Sequence, residues 1–291
     1  VAKSAISAVW SWGNSVPRSA DERGDGFVDM TPVAIRDFAR KHALTSVQLS
    51  VPWASDQGGP IGDWLVAATT LLRRDGIRVT ALGGDRDWPT RPASAAAWAS
   101  AAARAAHFDG IHLNVEPWVT EPDPAVYLPQ LEAIFRAVRA SVPGTPLGSD
   151  LPWWLGVSTS STNGQDGSTN GFETLLPHLD SVSIVAFSDH AAGPGGIIEL
   201  ATPAATMASR AGRPFTIGLE TDTPEVAGGA QYTFQDEGSI ALEREAHLTR
   251  RALQHLPGYR GIAIEHLRSW RRLQPGRLEP SPPPSLGAPA S

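Results

Sequence analysis

The feature that most constrains this chain is an alternation. Short runs rich in Val, Ile and Thr are followed, about eight times, by longer segments whose apolar residues recur at helical spacing. A strand that hands over to a helix and then to another strand brings the chain back parallel to where it began. The β-rich runs are SAISAVW (4–10), SVQLSVP (46–52), IRVTALG (77–83), GIHLNVE (110–116), TPLGSDL (145–151), VSIVAFS (182–188), FTIGLE (215–220) and GIAIEH (261–266). This count predicts an α/β fold, a single (β/α)8 TIM barrel over residues 1–275.

The connecting segments support that reading. TPVAIRDFARKHA (31–43) opens with a Thr cap followed by Pro at the first helical position, where the missing N–H costs nothing. The spacing predicts further helices over 63–76, 92–106, 123–141, 197–212 and 239–256, with a short fifth crossover at 171–179. The stretch 156–171 is Ser-, Thr-, Asn- and Gly-rich and reads as a mobile loop after strand five. From residue 276 the chain is Pro-rich and almost uncharged, so 276–291 is expected to be a disordered tail outside the fold.

Composition excludes several function classes. A net charge of −6 disfavours a nucleic-acid partner, and the absence of cysteine removes disulfides, thiolate metal sites and a cysteine nucleophile. No apolar run is long enough for a membrane span. The N-terminus fits a secreted chain after signal removal as well as a cytoplasmic one, and nothing in the pattern fixes an oligomeric state. ALGGD (81–85) has neither the spacing of a dinucleotide fingerprint nor the Lys of a phosphate loop, so no cofactor is expected. Ligand motifs such as HExxH are missing, so no metal is assigned.

Barrel enzymes place their chemistry at the C-terminal strand ends. Here those ends carry Trp10, Trp12 and Asn14; Trp53; Asp85; Glu116 and Trp118; Asp150, Trp153 and Trp154; Asp189 and His190; Glu220 and Asp222; and Glu265, His266 and Trp270. Acids ringed by indoles suit a carbohydrate, whose hydroxyls need acceptors and whose apolar ring faces stack on aromatics. By position, Trp53, Trp118 and Trp270 are expected to stack. Trp10, Asp85, His112, Asp150, Trp153 and Glu265 are expected to complete the substrate site. On strand four, period-two alternation puts Gly110, His112, Asn114 and Glu116 on one face. That polar file is expected to face the lumen, with Glu116 at its top as a general acid and His112 as a core hydrogen-bonder. Asp109, of opposite parity, is expected to be structural.

FDGIHLNVE (108–116) resembles the strand-four signature of the family 18 chitinase-like glycoside hydrolases. ALGGDRDW (81–88), AFSDH (186–190) and Trp270 are similar to that family's strand-three, strand-six and strand-eight segments. The resemblance implies hydrolysis of a glycosidic bond with Glu116 as the proton donor, and with Asn114 and Asp189 positioning substrate. His112 and Asn114 stand where the family has Asp, which replaces its acidic relay by an imidazole and an amide. The chain also resembles clan A retaining glycosidases, whose catalytic glutamates end strands four and seven; that likeness implies Glu116 and Glu220. DGIHL-x-x-EP is similar as well to uncharacterised bacterial barrel proteins. A non-catalytic carbohydrate-binding barrel and a metal-dependent hydrolase of a non-sugar substrate are the alternatives.

Overall fold

The structure is a computed structural model that describes residues 4–157 and 170–276. Within them eight parallel strands close in sequential order: β1 (Ile6–Ser11), β2 (Ser46–Ser50), β3 (Arg78–Gly83), β4 (Ile111–Leu113), β5 (Leu147–Pro152), β6 (Ser181–Val185), β7 (Phe215–Glu220) and β8 (Tyr259–Glu265). Closure is made by β1 against β8, where Ala8 faces Ala263 and Val9 faces Ile264. The expected barrel is therefore the observed one. Most of the expected loop at 156–171, from 158 to 169, lies outside the described residues, as does the tail from 277.

The helices are α1 (Pro32–Lys41), α2 (Gly59–Arg74), α3 (Pro92–Ala105), α4 (Pro124–Ser141), α5 (Gly171–Leu175), α6 (Ile197–Arg210), α7 (Pro224–Ala227), α8 (Gly238–Leu253) and α9 (Leu267–Arg272). Thr31 caps α1 by accepting from the Ala34 N–H at 3.2 Å. Helix α2 starts earlier than its apolar periodicity predicts, because Pro60 falls in the first turn, where no donor is required. None of the described helices is long and apolar enough to cross a membrane.

Two layers of side chains hold the barrel together. Outward residues such as Val47, Val79, Ile111, Ile184 and Ile217 pack against the inner faces of the helices, through Ile35, Leu65, Phe135 and Leu242 among others. Asp109 belongs to this outer framework: it pairs with Arg73, and its other oxygen accepts the Val79 N–H at 2.8 Å. Trp270 does too, which corrects its expected place in the substrate site. It is buried, with its ring centroid 4.9 Å from Phe38 and 4.5 Å from His42. Beyond the end of β8 the alternation of a strand no longer applies, and α9 turns this indole towards α1.

Inside the barrel a smaller cluster of Ala8, Trp10, Leu82 and Ala263 forms a plug, with Trp12 packed on it. Small neighbours admit the Trp10 indole: a Cβ built on Gly218 would stand 3.0 Å from Trp10 Cη2. Strand β4 is shorter than expected. Its pairing with β5 ends at Leu113 opposite Ser149, and after one further bond, from the Asn114 N–H to the Gly83 carbonyl, the chain enters a 3-10 turn at Pro117–Val119. Proline cannot donate to a ladder, so the strand stops before Glu116.

Candidate active site

Four carboxyl groups converge at the C-terminal mouth. Glu220 and Glu265 are register partners at the ends of β7 and β8. Asp150, on β5, is buried and held from two sides: Trp10 Nε1–H donates to Oδ2 at 3.0 Å, and His112 Nε2 lies 2.7 Å from Oδ1. Trp12 Nε1–H donates to Glu265 Oε1 at 2.9 Å. Glu220 is buried, and its Oε1 accepts the N–H groups of Thr221 and Asp222 at 2.7 and 2.8 Å. Glu116 stands above, on the segment that follows β4, with its side chain reaching solvent.

This crowding changes the acidity of the group. Desolvation is the largest effect on Glu265 and raises it well above an ordinary glutamate; Glu220, Asp150 and Glu116 add like charge, against the hydrogen bond from Trp12. Burial pushes Glu220 up to about 7, although its two backbone N–H bonds pull the other way. Protein packed around the Glu116 carboxyl, and next the charge of Asp150, raise it also. A carboxyl whose pKa is raised by folding stays protonated in the folded chain over a range where the unfolded chain has released its proton. The Glu220 effect is therefore absent below about pH 4, destabilises increasingly as pH rises, and levels off above about 7. Glu220→Gln is expected to remove a loss on the order of 3 kcal/mol between about pH 4.5 and 8, measured by urea unfolding across that range. A pH slope unchanged by the substitution would show that Glu220 carries no such burden.

The other expected site residues divide. Asn114 and Asp85 line a cleft of 220 Å³ with Glu116 and Arg86. Trp53 is 59% exposed on the loop after β2, with the Arg23 guanidinium 6.0 Å from its ring. Trp118 is half-buried in an aromatic group, its centroid 5.4 Å from Trp154 and 6.2 Å from Tyr127, and Trp153 is packed against the outer core. Trp10 is fully buried, which corrects its expected place among the substrate-binding residues: it acts on the site through its N–H to Asp150. Asp189 is bound to His190 at 2.6 Å and faces Glu237 rather than the four carboxyls, because its loop is tied to Gln231. His112 lies in the lumen as expected, whereas Glu116 is not the buried top of that file, because the ladder ends three residues earlier.

Trp12, named above only as a strand-end residue, belongs to the site through its bond to Glu265; it follows β1 at period two from Trp10, which turns both indoles to the same side. Asp222 and His266 are both among the strand-end residues named above, but their pairing, Nε2 to Oδ2 at 3.0 Å beside the mouth, is not legible in the sequence, since they come from different loops. The glycine that ends β3 and the one that follows it are explained by packing. A Cβ on Gly83 would enter the Trp98 ring, and one on Gly84 would overlap the Asn114 carbonyl. Among the described residues no three His, Asp or Glu side chains come together as a metal site.

No protein-family model and no curated protein matches the chain. Solved structures do. A GH5_18 structure from Streptomyces cattleya, in complex with GlcNAc, is similar with a TM-score of 0.54 at 15% identity, over 90% of this chain and 71% of that one. An exo-β-1,4-mannosidase from an Opitutaceae bacterium gives 0.55 at 14% identity, over 90% of this chain and 52% of that one. A chitinase from Chromobacterium violaceum gives 0.39 at 16% identity, over 74% and 68% of the two chains, too low to bear on kinship with family 18. The first two neighbours are glycoside hydrolases, and at such identities their likeness establishes the fold alone.

Proposed function

We propose that the protein is a cofactor-independent glycoside hydrolase in which Glu116 is the general acid and Glu220 the second working carboxylate. The observation that carries this reading is the convergence of Glu116, Asp150, Glu220 and Glu265 at one barrel mouth, where burial and mutual repulsion keep protons on carboxyl groups near neutral pH. Glycosidic bonds are cleaved by such pairs: one carboxyl protonates the leaving oxygen, and its partner attacks the anomeric carbon or activates water. Glu116 is open to solvent, where a leaving group departs. Glu220 has one oxygen anchored on two backbone N–H groups, which leaves the other for the sugar carbon or a water.

Glu265 keeps its proton beside Glu220 and presents it to a sugar hydroxyl or to Glu220 itself. Asn114 and Asp85, in the cleft beside Glu116, position substrate, and exposed Trp53 offers a stacking face. The structural neighbours named for a mannosidase and for a GlcNAc complex agree with a carbohydrate substrate. The test is a panel of aryl glycosides and polysaccharides assayed with the wild-type protein and with Glu116→Gln. Hydrolysis that falls sharply in the variant is the expected result. Turnover indifferent to the substitution would remove Glu116 from the chemistry, and sugar binding without turnover in either protein would favour a carbohydrate-binding barrel instead.

A further inference from the structure

A second cavity, of 890 Å³, lies at the opposite end of the barrel, among the N-terminal strand ends. The Trp10 plug lies above it. A barrel lumen of this kind is ordinarily filled by bulky branched side chains, but this end is lined by Gln48, Thr80, Ser183 and Thr216. Gln48 is 5% exposed, and its Oε1 has no hydrogen-bond partner; Thr80 Oγ1 is likewise buried and unpaired. Ser183 and Thr216 satisfy one another at 2.9 Å. Buried polar atoms without partners are costly, so groups kept in this state are suited to a visitor that supplies hydroxyls.

The rim adds charge. Arg78, Arg139 and Arg260 border the opening, against the single carboxylate of Asp180. Asp180 pairs with Arg139 at 3.0 Å, Arg78 reaches only the Asp109 carbonyl at 3.4 Å, and Arg260 is exposed with no ion pair among the described residues. Among the described residues, the guanidiniums of Arg78 and Arg260 thus border the opening without an ion pair, next to a polar interior. We propose that this cavity binds a small polyol carrying one anionic group, a sugar phosphate or a sugar acid, with the hydroxyls directed to Gln48 and Thr80 and the anion held by Arg78 and Arg260. It opens at the other end of the barrel and meets the carboxyl cluster only across His112, which lines the cavity and binds Asp150 above; it stands or falls independently of the hydrolase reading.

Calorimetric titration of the full chain with ribose 5-phosphate, gluconate and ribose tests it. At least one anionic probe is expected to bind saturably, with ribose weaker by about tenfold or more, because a charge-assisted bond is lost. The tighter of the two anionic probes identifies the anion. Gln48→Leu and the surface substitution Arg260→Ala should each weaken binding by about tenfold with circular dichroism unchanged, whereas Glu220→Gln should leave it intact. Three results would overturn the proposal: no saturable binding of either anionic probe, affinity unaffected by both cavity variants, or binding abolished by Glu220→Gln, which would move the ligand to the other mouth.

Discussion

Glu116→Gln is expected to slow hydrolysis of an aryl glycoside with a poor leaving group by about 10²–10⁴-fold, the usual worth of a positioned proton donor. The same variant should lose far less on a dinitrophenyl glycoside, whose leaving group departs without a proton. Glutamine keeps the shape and the hydrogen-bonding reach of the side chain but has no proton to give, so the contrast between the two substrates isolates the acid role. Glu220→Gln should slow both substrates alike, because attack at the anomeric carbon is needed whatever the leaving group. The pH profile of kcat/KM should be a bell with one limb near 7, where Glu220 titrates. Loss of that limb in Glu220→Gln would assign it. Equal losses on the two substrates in Glu116→Gln would reduce Glu116 to a binding group.

The largest effect on stability is expected from Trp10→Ala. The indole is fully buried at the centre of the lumen plug, and small neighbours such as Ala8, Gly218 and Ala263 have no atoms with which to fill the space it leaves. Removing a large aromatic from such a place costs about 3–5 kcal/mol, and the Asp150 carboxylate loses a donor besides. Trp10→Phe keeps most of the volume and removes the N–H, so it should cost less in urea unfolding and shift the burden to the site. If Trp10→Ala unfolds at the wild-type urea concentration, the plug is not what holds the lumen.

Much of the frame was legible because it rests on local chemistry. Runs such as SVQLS and FTIGLE are β-branched and apolar on their outward face, and Thr31 with Pro32 marks a helix start whatever the rest of the chain does. What failed to read out is what assembly decides. The end of β4 depends on where its pairing with β5 stops, so the parity that puts His112 in the lumen does not carry as far as Glu116. Trp270 was misplaced for the same reason on α9. That the charge of Glu220 helps to raise Glu265 follows from neighbouring strands meeting at one level, which no spacing along the chain expresses. Asp189 looks equivalent to the other strand-end acids until its loop is seen tied to Gln231. The inward polar residues of the lower cavity, Gln48 and Thr80 among them, become a cavity only when the strands close.

The brevity of β4 bears on how such a site can change over generations. Asp150, Glu220 and Glu265 are rooted in the closed sheet, and a substitution that moved any of them would disturb the frame. Glu116 is rooted three residues past the last paired position, beside a proline turn, so changes in the segment from Pro117 onward can re-aim it while the barrel stays in register. Glu116, the proposed proton donor, is thus the member of the group that a change of sequence can re-aim at least cost to the frame.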